Sequence, residues 1–435
     1  MARHLFGTDG VRGLVGEKLT ADLAIGLGRA ATEQAGGAGT RVLVIRDTRE
    51  SGEMLESALA AGITAAGGEA LLGGVLPTPA APLLIGQYGF DLGVVVSASH
   101  NPYQDNGIKF FGGDGLKLTD AAEEEIEARL ADAPNSTLEV GRVRELHGTQ
   151  EDYLRALETR FEALDLSGVD LLLDCAHGAT YRVGPEIFRR LGATVTAIGD
   201  APDGRNINEG VGSTHIEALA AAVVAGGHDL GFAFDGDGDR VLAADRNGST
   251  VDGDELIALA AIHLRAIGRL SGDGVVVTVM TNYGFHTAME SAGIEVATAD
   301  VGDRYVLAEL RERGWKLGGE QSGHIIDMGF VPSGDGIASA LLTLEALAGA
   351  DLADRSAMEK LPQRLVNVKV ADKDRALAAV AGPAEDANQS LSGQGRVLVR
   401  ASGTEELVRV MVEAPDQAQC DEICASLVAV VEETG

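Results

Sequence analysis

The sequence predicts an α/β fold of three repeated mixed-sheet α/β domains and a smaller C-terminal α+β domain around a central cleft. Three stretches of the 435-residue chain share one order: an apolar strand, a helix-like segment and, after a glycine, a second extended piece. Each stretch then continues with a further strand that leads into a polar loop, whereas the end of the chain departs from this order. We predict domains over 1–150, 151–254, 255–364 and 365–435.

The first half of each repeat has the pattern of a strand, a helix and a second strand. The first strands are Val42–Ile45, Val169–Leu173 and Val275–Val279. The helix-like segments are Gly52–Ala66, Val183–Leu191 and Phe285–Ser291. The second extended pieces are Gly68–Leu71, Gly192–Val195 and Gly293–Val296. This order favours parallel strands joined by right-handed crossovers.

The second half of each repeat delivers one polar loop from the end of a strand. The run of valines in Gly93–Val96 predicts a buried strand ahead of the first loop. The three loops are Ser97–Pro102, Asp235–Asp239 and Gly319–His324. Because strands of α/β sheets carry their chemistry at their carboxyl ends, we expect these loops to converge in one cleft.

The C-terminal segment has the pattern of a small α+β domain with one loop of interest. Its predicted elements are a strand at Asn367–Val370, a helical stretch, strands at Arg396–Arg400 and Leu407–Val412, and a helix at Gln417–Val431. The loop between the last two strands carries the groups of an anion cradle, since an Arg fork matches phosphate bidentately. These groups are Arg400, Ser402, Thr404 and the backbone of Gly403, with Arg409 as a second cation.

The charge of the chain argues against two classes of partner, and its cysteines argue against a disulfide framework or a zinc site. With 35 basic and 66 acidic side chains the net charge is −31, which argues against nucleic acid or an anionic membrane surface as a partner. A small phosphorylated ligand needs only a few local cations and is not excluded. Cys175, Cys420 and Cys424 are too few for a disulfide framework and have no zinc-ligand spacing. Without a signal-peptide or membrane-span pattern, we expect a cytoplasmic protein.

Asp235, Asp237 and Asp239 alternate with glycines and form a candidate metal site. Three carboxylates this close repel one another unless a cation lies between them. An EF-hand would require Gly in place of Arg240 and Glu in place of Arg246. A solvated acidic turn is the alternative. We expect Mg²⁺, which prefers oxygen ligands and keeps positions open for phosphate.

Ser99, beside His100, is a candidate nucleophile or phosphate carrier. The alternative is an ordinary turn that caps the next segment. Lys109 lies in an extended segment, on the face opposite to its two apolar neighbours, and could return toward the serine loop as an electrostatic clamp or proton donor. The alternative, an exposed strand lysine, is common, and Arg12 has the same ambiguity.

The remaining motifs are weak when taken alone. Glu320, Ser322 and His324 could bind sugar hydroxyls in their glycine-flanked loop, although a surface turn is the default. Gly26–Ala31 matches a loose dinucleotide pattern but lies in a helical run with no strand before it. The chain has no Walker-type loop and no Gly-x-Ser-x-Gly elbow, so nucleotide binding and hydrolysis lose support.

Taken together, the motifs resemble those of the α-D-phosphohexomutase superfamily, and the resemblance spans nearly the whole chain. The matching segments are Phe6–Gly13, Ser97–Pro102, Val301–Val306 and Gly319–His324. The N-terminal octapeptide and Gln321 are most similar to members that act on glucosamine phosphates. One departure is Glu406, which stands where the family's C-terminal loop usually has proline, so the rigidity of that loop is in question.

The resemblance implies a phosphate shuttle. Ser99 would carry a phosphoryl group and pass it to O1 of glucosamine 6-phosphate. The resulting glucosamine 1,6-bisphosphate would return its 6-phosphoryl group to Ser99 and leave glucosamine 1-phosphate, a precursor for UDP-N-acetylglucosamine and cell-wall synthesis. One Mg²⁺ would be held by Ser99 and the three aspartates.

The resemblance also implies a role for each remaining site residue. Around the transferred group it places Arg12, His100, Lys109 and Arg240, with His324 or Lys109 as general acid/base. For the sugar and the other phosphate it implies Asp303, Arg304, Glu320, Ser322, Arg400, Ser402, Gly403, Thr404 and Arg409. A homodimer is expected by analogy, and an activating kinase is a further candidate partner.

Three other functions remain open at this point. The nearest is the same chemistry on mannose or glucose phosphates. A metal-dependent phosphatase would pass the phosphoryl group to water instead. A sugar-phosphate binding protein would use the same loops without turnover.

Overall fold

The computed structural model describes residues 5–7, 9–131, 139–402 and 406–434. Its contacts define two compact units: a larger one that extends through Val279 and includes Ala297–Arg355, and a smaller one made of Met280–Val296 and the segment from Ser356 onward. The predicted α/β architecture with a smaller C-terminal α+β region is confirmed. The four domain boundaries stay a prediction. None of the described helices is both long and apolar enough to cross a membrane.

The first sheet has six strands and contains the serine loop. Its elements are β1 Val11–Leu14, α1 Ala21–Gln34, β2 Arg41–Arg46, α2 Gly52–Ala65, β3 Glu69–Val75, α3 Ala80–Tyr88, β4 Leu92–Val96, β5 Asp105–Gly112, α4 Asp120–Leu130 and β6 Arg142–Glu145, followed by α5 Thr149–Arg160. The strand order is β1-β5-β4-β2-β3-β6. β4 is buried throughout, runs parallel to β2 and pairs antiparallel with β5.

Helices α1 and α2 pack closely over this sheet, and glycines permit the close approach. A Cβ at Gly28 would lie 2.5 Å from the carbonyl oxygen of Leu59, and one at Gly62 would lie 2.0 Å from that of Ile25. The dinucleotide-like pattern at Gly26–Ala31 therefore lies inside a helix, as expected, and its Gly28 serves helix packing.

The second and third sheets repeat the arrangement. The second contains β7 Asp170–Asp174, α6 Val183–Arg190, β8 Thr194–Ile198, α7 Ile216–Gly226, β9 Leu230–Phe234, β10 Val241–Asp245 and β11 Thr250–Val251, in the order β11-β10-β9-β7-β8. The third contains α8 Gly253–Ala266, β12 Gly274–Thr278, α9 Tyr283–Ser291, β13 Glu295–Ala299, α10 Asp303–Arg313, β14 Leu317–Gly319, β15 Ile325–Asp327 and α11 Gly336–Leu347, in the order β13-β12-β14-β15.

Each polar loop occupies the same place in its sheet. The serine loop joins β4 to β5, the aspartate loop joins β9 to β10, and the glutamate loop joins β14 to β15. In every case the first strand is parallel to its neighbour from the same repeat and the second strand is antiparallel. The chain must reverse direction at each loop, so polar side chains are presented at the carboxyl end of an inner strand.

The smaller unit contains a three-stranded antiparallel sheet. Its C-terminal elements are β16 Gln363–Lys369, α12 Lys373–Leu391, β17 Arg396–Ala401, β18 Leu407–Glu413 and α13 Gln417–Thr434, with strand order β16-β18-β17. β16 begins at Gln363, earlier than the sequence suggests. Cys420 and Cys424 are buried on α13 among apolar side chains, and both are free thiols. Helix α9 belongs to the third repeat in sequence, but its contacts group it with this unit.

Candidate active site

Ser99 lies in a left-handed turn directly after the buried strand β4. Its φ of 52° falls in a region that L residues rarely adopt, and the residue is 1% exposed. The Ser99 hydroxyl donates to Oδ2 of Asp235 at 2.5 Å, and its oxygen lies 3.4 Å from Nδ1 of His100. Burial, with the guanidinium groups of Arg240 and Arg12, lowers the pKa of His100. The predicted nucleophile and the first predicted metal ligand are thus in contact.

The three aspartates form one buried cluster. Asp235, Asp237 and Asp239 each offer a carboxylate oxygen within 4.8 Å of the others. Gly238 has a φ of 72°, which lets the loop turn sharply enough to bring them together. Oδ1 of Asp237 and Oδ1 of Asp239 are buried and have no hydrogen-bond partner among the described residues. Burial and the two neighbouring carboxylates raise the pKa of Asp235 well above its usual value. An all-oxygen donor set with unsatisfied buried atoms fits a hard divalent cation.

Lys109 supplies a buried positive charge beside this cluster. Its Nζ lies 2.7 Å from Oδ2 of Asp237 and 3.1 Å from Oδ2 of Asp9. Thr78 donates to the same Asp237 oxygen at 2.6 Å. Burial alone would lower the pKa of Lys109, but the carboxylates of Asp237 and Asp9 outweigh it and raise that pKa. Although burial opposes it, the ammonium group in turn lowers the pKa of Asp237.

A second lysine connects the first sheet to the third. Nζ of Lys117 lies 2.5 Å from Oδ1 of Asp9 and 2.5 Å from Oδ2 of Asp303. Burial would lower the pKa of Lys117, but Asp303 and Asp9 raise it. Arg12 also pairs with Asp9. Asp9 is thus contacted by Lys109, Lys117 and Arg12, which hold its pKa well below the usual range despite burial.

The glutamate loop brings its groups to the same network. His324 is buried, with Nδ1 3.7 Å from Oδ2 of Asp239 and Nε2 3.7 Å from Oδ2 of Asp303. Burial alone would lower the pKa of His324, but Asp239 and Asp303 outweigh it and raise that pKa. Glu320 accepts a hydrogen bond from the backbone of Gly302 at 3.0 Å, which fixes the loop that precedes α10.

Three other predicted residues are less closely tied to the cluster. Nε of Arg240 lies 3.9 Å from Oδ1 of Asp239, while its backbone N–H donates to Asp235 at 3.2 Å. Ser322 is exposed at the tip of its loop. Arg304 pairs with two acidic residues of α4, Asp120 and Glu123. Their predicted contacts with substrate stay predictions.

In the smaller unit, Arg400 and Arg409 face each other across β17 and β18. Like charges directly opposite on a sheet repel unless an anion lies between or near them. Nε of Arg409 is buried and has no hydrogen-bond partner in the described part of the chain, and Ser402 is buried at the end of β17. Gly403 and Thr404 lie outside the described residues.

Sequence reasoning missed three participants. Asp9 lies inside the Phe6–Gly13 segment, but nothing in its spacing singles it out. Thr78 follows the carboxyl end of β3, so the rule that strand ends carry chemistry could have found it. Lys117 has no local signal, because its two carboxylate partners are 108 and 186 residues away in sequence.

Comparison with known proteins identifies the class. The chain matches the phosphoglucomutase/phosphomannomutase family over α/β/α domain I at residues 3–136, domain II at 151–248, domain III at 252–365 and the C-terminal domain at 365–430. The chain belongs to this family, which confirms the predicted membership of the phosphohexomutase superfamily, and it is an enzyme of this kind.

Individual relatives within this family are similar to the chain over nearly its full length. The phosphoglucosamine mutase of Moorella thermoacetica is 50% identical, covering 97% of this chain and 98% of that protein. The phosphoglucosamine mutase of Mycobacterium marinum is 48% identical, covering 99% of this chain and 100% of that protein. Among solved structures, a phosphoglucomutase/phosphomannomutase family protein from Burkholderia thailandensis has a TM-score of 0.86 at 26% identity, covering 99% of this chain and 97% of that one.

A more distant structure shows that the fold is shared. Aspergillus fumigatus N-acetylphosphoglucosamine mutase, solved in complex with GlcNAc-6P and magnesium, has a TM-score of 0.64 at 18% identity, covering 99% of this chain and 96% of that one.

Proposed function

We propose that this enzyme interconverts glucosamine 6-phosphate and glucosamine 1-phosphate through a phosphorylated Ser99 and a 1,6-bisphosphate. The observation that carries the proposal is the contact of the Ser99 hydroxyl with Asp235, the first of three buried carboxylates. The choice of glucosamine rests on relatives that are phosphoglucosamine mutases. Two of them are 50% and 48% identical to this chain over nearly its full length. Glucose and mannose phosphates are the competing substrates.

The transfer needs little covalent chemistry from the protein. The bond between phosphorus and Oγ of Ser99 breaks as a bond from phosphorus to sugar O1 forms, and the O1 proton leaves to a base. Oγ of Ser99, the leaving group of this first half, takes up a proton. In the second half Oγ gives up that proton as its bond to phosphorus forms, the bond between phosphorus and O6 breaks, and O6 takes up a proton. Positioning and neutralisation of charge on the transferred group then decide the rate.

The side chains around Ser99 suit these tasks differently. Lys109 has a raised pKa and two carboxylate contacts, so it fits a fixed positive charge better than a proton donor. His324 is the better candidate for moving the proton, because it is buried at the edge of the same network. Arg12 and Arg240 are partly exposed and available to contact phosphoryl oxygens.

Mg²⁺ fits the cluster of Asp235, Asp237 and Asp239 together with an oxygen on Ser99. When bound there it would neutralise charge on the transferred phosphoryl group. Asp237 is already oriented by Thr78 and Lys109 through Oδ2, which leaves Oδ1 as its ligand atom. Asp235 contacts Ser99 through Oδ2, so a ligand from Ser99 and one from Asp235 can share the same site.

The pair Arg400 and Arg409, with Ser402, is the proposed grip on the phosphate that does not react. Two guanidinium groups opposite one another on a sheet are stabilised by a dianion. Such a grip binds either phosphate of the bisphosphate, which the two half-reactions require. A homodimer, an activating kinase and a cytoplasmic location stay predictions.

The test is an assay of the purified enzyme with glucosamine 6-phosphate, a trace of sugar bisphosphate and Mg²⁺. We expect glucosamine 1-phosphate without net release of phosphate, and an intact mass that carries one phosphoryl group mapped to Ser99. Ser99→Ala should remove both, whereas Ser167→Ala, on an exposed turn, should remove neither.

Each competing function has its own outcome in that assay. Faster turnover of mannose or glucose phosphates would replace the proposed substrate. Net release of phosphate would indicate a phosphatase. A Ser99 that never carries phosphate, together with an unchanged Ser99→Ala variant, would leave only a binding protein.

A further inference from the structure

Arg49, which follows β2, is a buried arginine that holds the backbone of the serine loop. Its Nη2 donates to the carbonyl oxygen of Ser99 at 2.9 Å and to that of Asn101 at 2.8 Å. Its Nη1 donates to the carbonyl oxygen of Asp105 at 2.9 Å and to that of Pro102. One guanidinium group is thus bonded to four carbonyls between Ser99 and the first residue of β5, an arrangement that the planar fork of arginine allows.

The remaining donor of Arg49 ties it to the other end of the loop. Nε of Arg49 donates to Asp47 at 2.8 Å. The same Asp47 oxygen accepts from the hydroxyl of Ser97 at 2.6 Å, and Ser97 Oγ accepts from the backbone N–H of Ser99 at 3.0 Å. The N–H and the carbonyl of Ser99 are therefore both fixed through one buried ion pair.

Asn208, a residue of the second repeat, also donates hydrogen bonds to two of these carbonyls. Its Nδ2 donates to the carbonyl oxygen of Ser99 at 2.9 Å and to that of Asn101 at 3.1 Å. Asn208 is buried and has a φ of 61°. The carbonyl of Ser99 is thus held by one side chain from each of two repeats.

We propose that Arg49 and Asn208 are positioning residues that hold Ser99 in its left-handed conformation and so direct its hydroxyl toward Asp235. A serine with a φ of 52° keeps that conformation only where its surroundings over-determine it, and these hydrogen bonds supply that restraint. The restraint matters because the Ser99 oxygen that would carry the phosphoryl group must stay beside the aspartate cluster throughout the reaction. This inference rests on the proposed role of Ser99 as the phosphoryl carrier.

The test compares two variants with two matched controls. Arg49→Lys keeps the charge beside Asp47 but loses the fork, and Asn208→Asp keeps the shape but turns a carboxylate oxygen toward two carbonyls. The controls are Arg41→Lys, at an arginine that donates to the carbonyls of Tyr88 and Gly89, and Asn206→Asp, at an asparagine that donates to Ala201. We expect kcat to fall about 100-fold in Arg49→Lys and in Asn208→Asp, with KM within about threefold, because a misplacement of about 1 Å costs about that much in rate. The two controls should show no such fall.

Hydrogen–deuterium exchange separates this inference from the proposed function. Peptides over residues 97–105 should exchange faster in Arg49→Lys and Asn208→Asp than in the wild type, whether or not the wild type turns over glucosamine 6-phosphate. Wild-type protein without mutase activity would overturn the proposed function alone. Unchanged exchange in that segment, or a kcat within threefold of the wild type, would overturn the proposed positioning role of Arg49 and Asn208. If Asn208→Asp does not fold, Asn208→Gly removes the side chain while permitting the positive φ, and the same outcomes apply.

Discussion

Gly236 is the position at which the smallest substitution should disturb the phosphoryl carrier. It lies between two of the three aspartates, and a Cβ there would lie 2.5 Å from the carbonyl oxygen of Ser99 and 2.7 Å from Nδ2 of Asn208. An ordinary carbon–oxygen contact is about 3.3–3.6 Å. In Gly236→Ala the Ser99 carbonyl must therefore move away by about 1 Å, or the aspartate loop must retreat by as much.

A displacement of this size sets the expected magnitude. About 1 Å of misplacement of a reacting group costs about 100-fold in rate, which corresponds to about 2.7 kcal/mol in activation free energy. The substitution removes no charged group, so we expect the loss in kcat and little change in KM. The assay is steady-state turnover of glucosamine 6-phosphate, with circular dichroism as the check on folding.

Gly86→Ala is the matched control for this prediction. Gly86 lies on α3 in a helical conformation, and a Cβ there would meet nothing within 4 Å. This variant should keep full activity and gain up to about 1 kcal/mol in stability, because alanine is the better helix former. If Gly236→Ala retains kcat within threefold of the wild type while folded, the close packing of the two loops does not control the position of Ser99.

Three further predictions address the charged network. Lys117→Met should lower the free energy of unfolding by about 2 kcal/mol, because Asp9 and Asp303 lose the cation that they share. This value lies between those for exposed and buried ion pairs. Urea unfolding followed by Trp315 fluorescence measures it. Burial raises the pKa of Asp335 to about 6, so the folded protein binds a proton that the unfolded chain releases, and stability should fall by about 2 kcal/mol as pH rises from about 4 to about 6. Asp335→Asn should abolish that slope in urea unfolding. Mg²⁺ should raise the Tm of the wild type but not of Asp237→Asn, and an equal rise in both would place the cation elsewhere.

The repeat was predictable because its signals are local. Valine-rich strands, glycines after helices and polar residues at strand ends all lie within a few residues of one another, so the sequence predicts the sheets and the three loops directly. The alternation that sets Lys109 apart from Ile108 and Phe110 is equally local, since neighbouring strand residues face opposite sides. Burial of Lys109 is not local. It depends on Asp237, which is 128 residues away.

The residues that hold the site in place escaped prediction for the same reason. Arg49 lies in a segment that resembles an ordinary strand-to-helix turn, and its carbonyl partners are about 50 residues further along. Backbone carbonyls leave no trace in side-chain patterns, so a residue whose partners are carbonyls cannot be recognised from spacing. Asn208 has the same two partners and lies in a loop that no motif marks.

The charge of the site also explains how an acidic protein can bind phosphate. The connected network around the aspartates contains four cationic side chains, Arg12, Lys109, Lys117 and Arg240, and five carboxylates, Asp9, Asp235, Asp237, Asp239 and Asp303. With all five carboxylates ionised and His324 neutral, the formal charge of this network is negative by one. A divalent cation held by the aspartates would reverse that sign, because it would add two positive charges beside Ser99. An acidic protein can therefore hold a phosphate site, and we expect loss of the aspartate cluster to weaken phosphate binding beside Ser99 more than loss of either arginine.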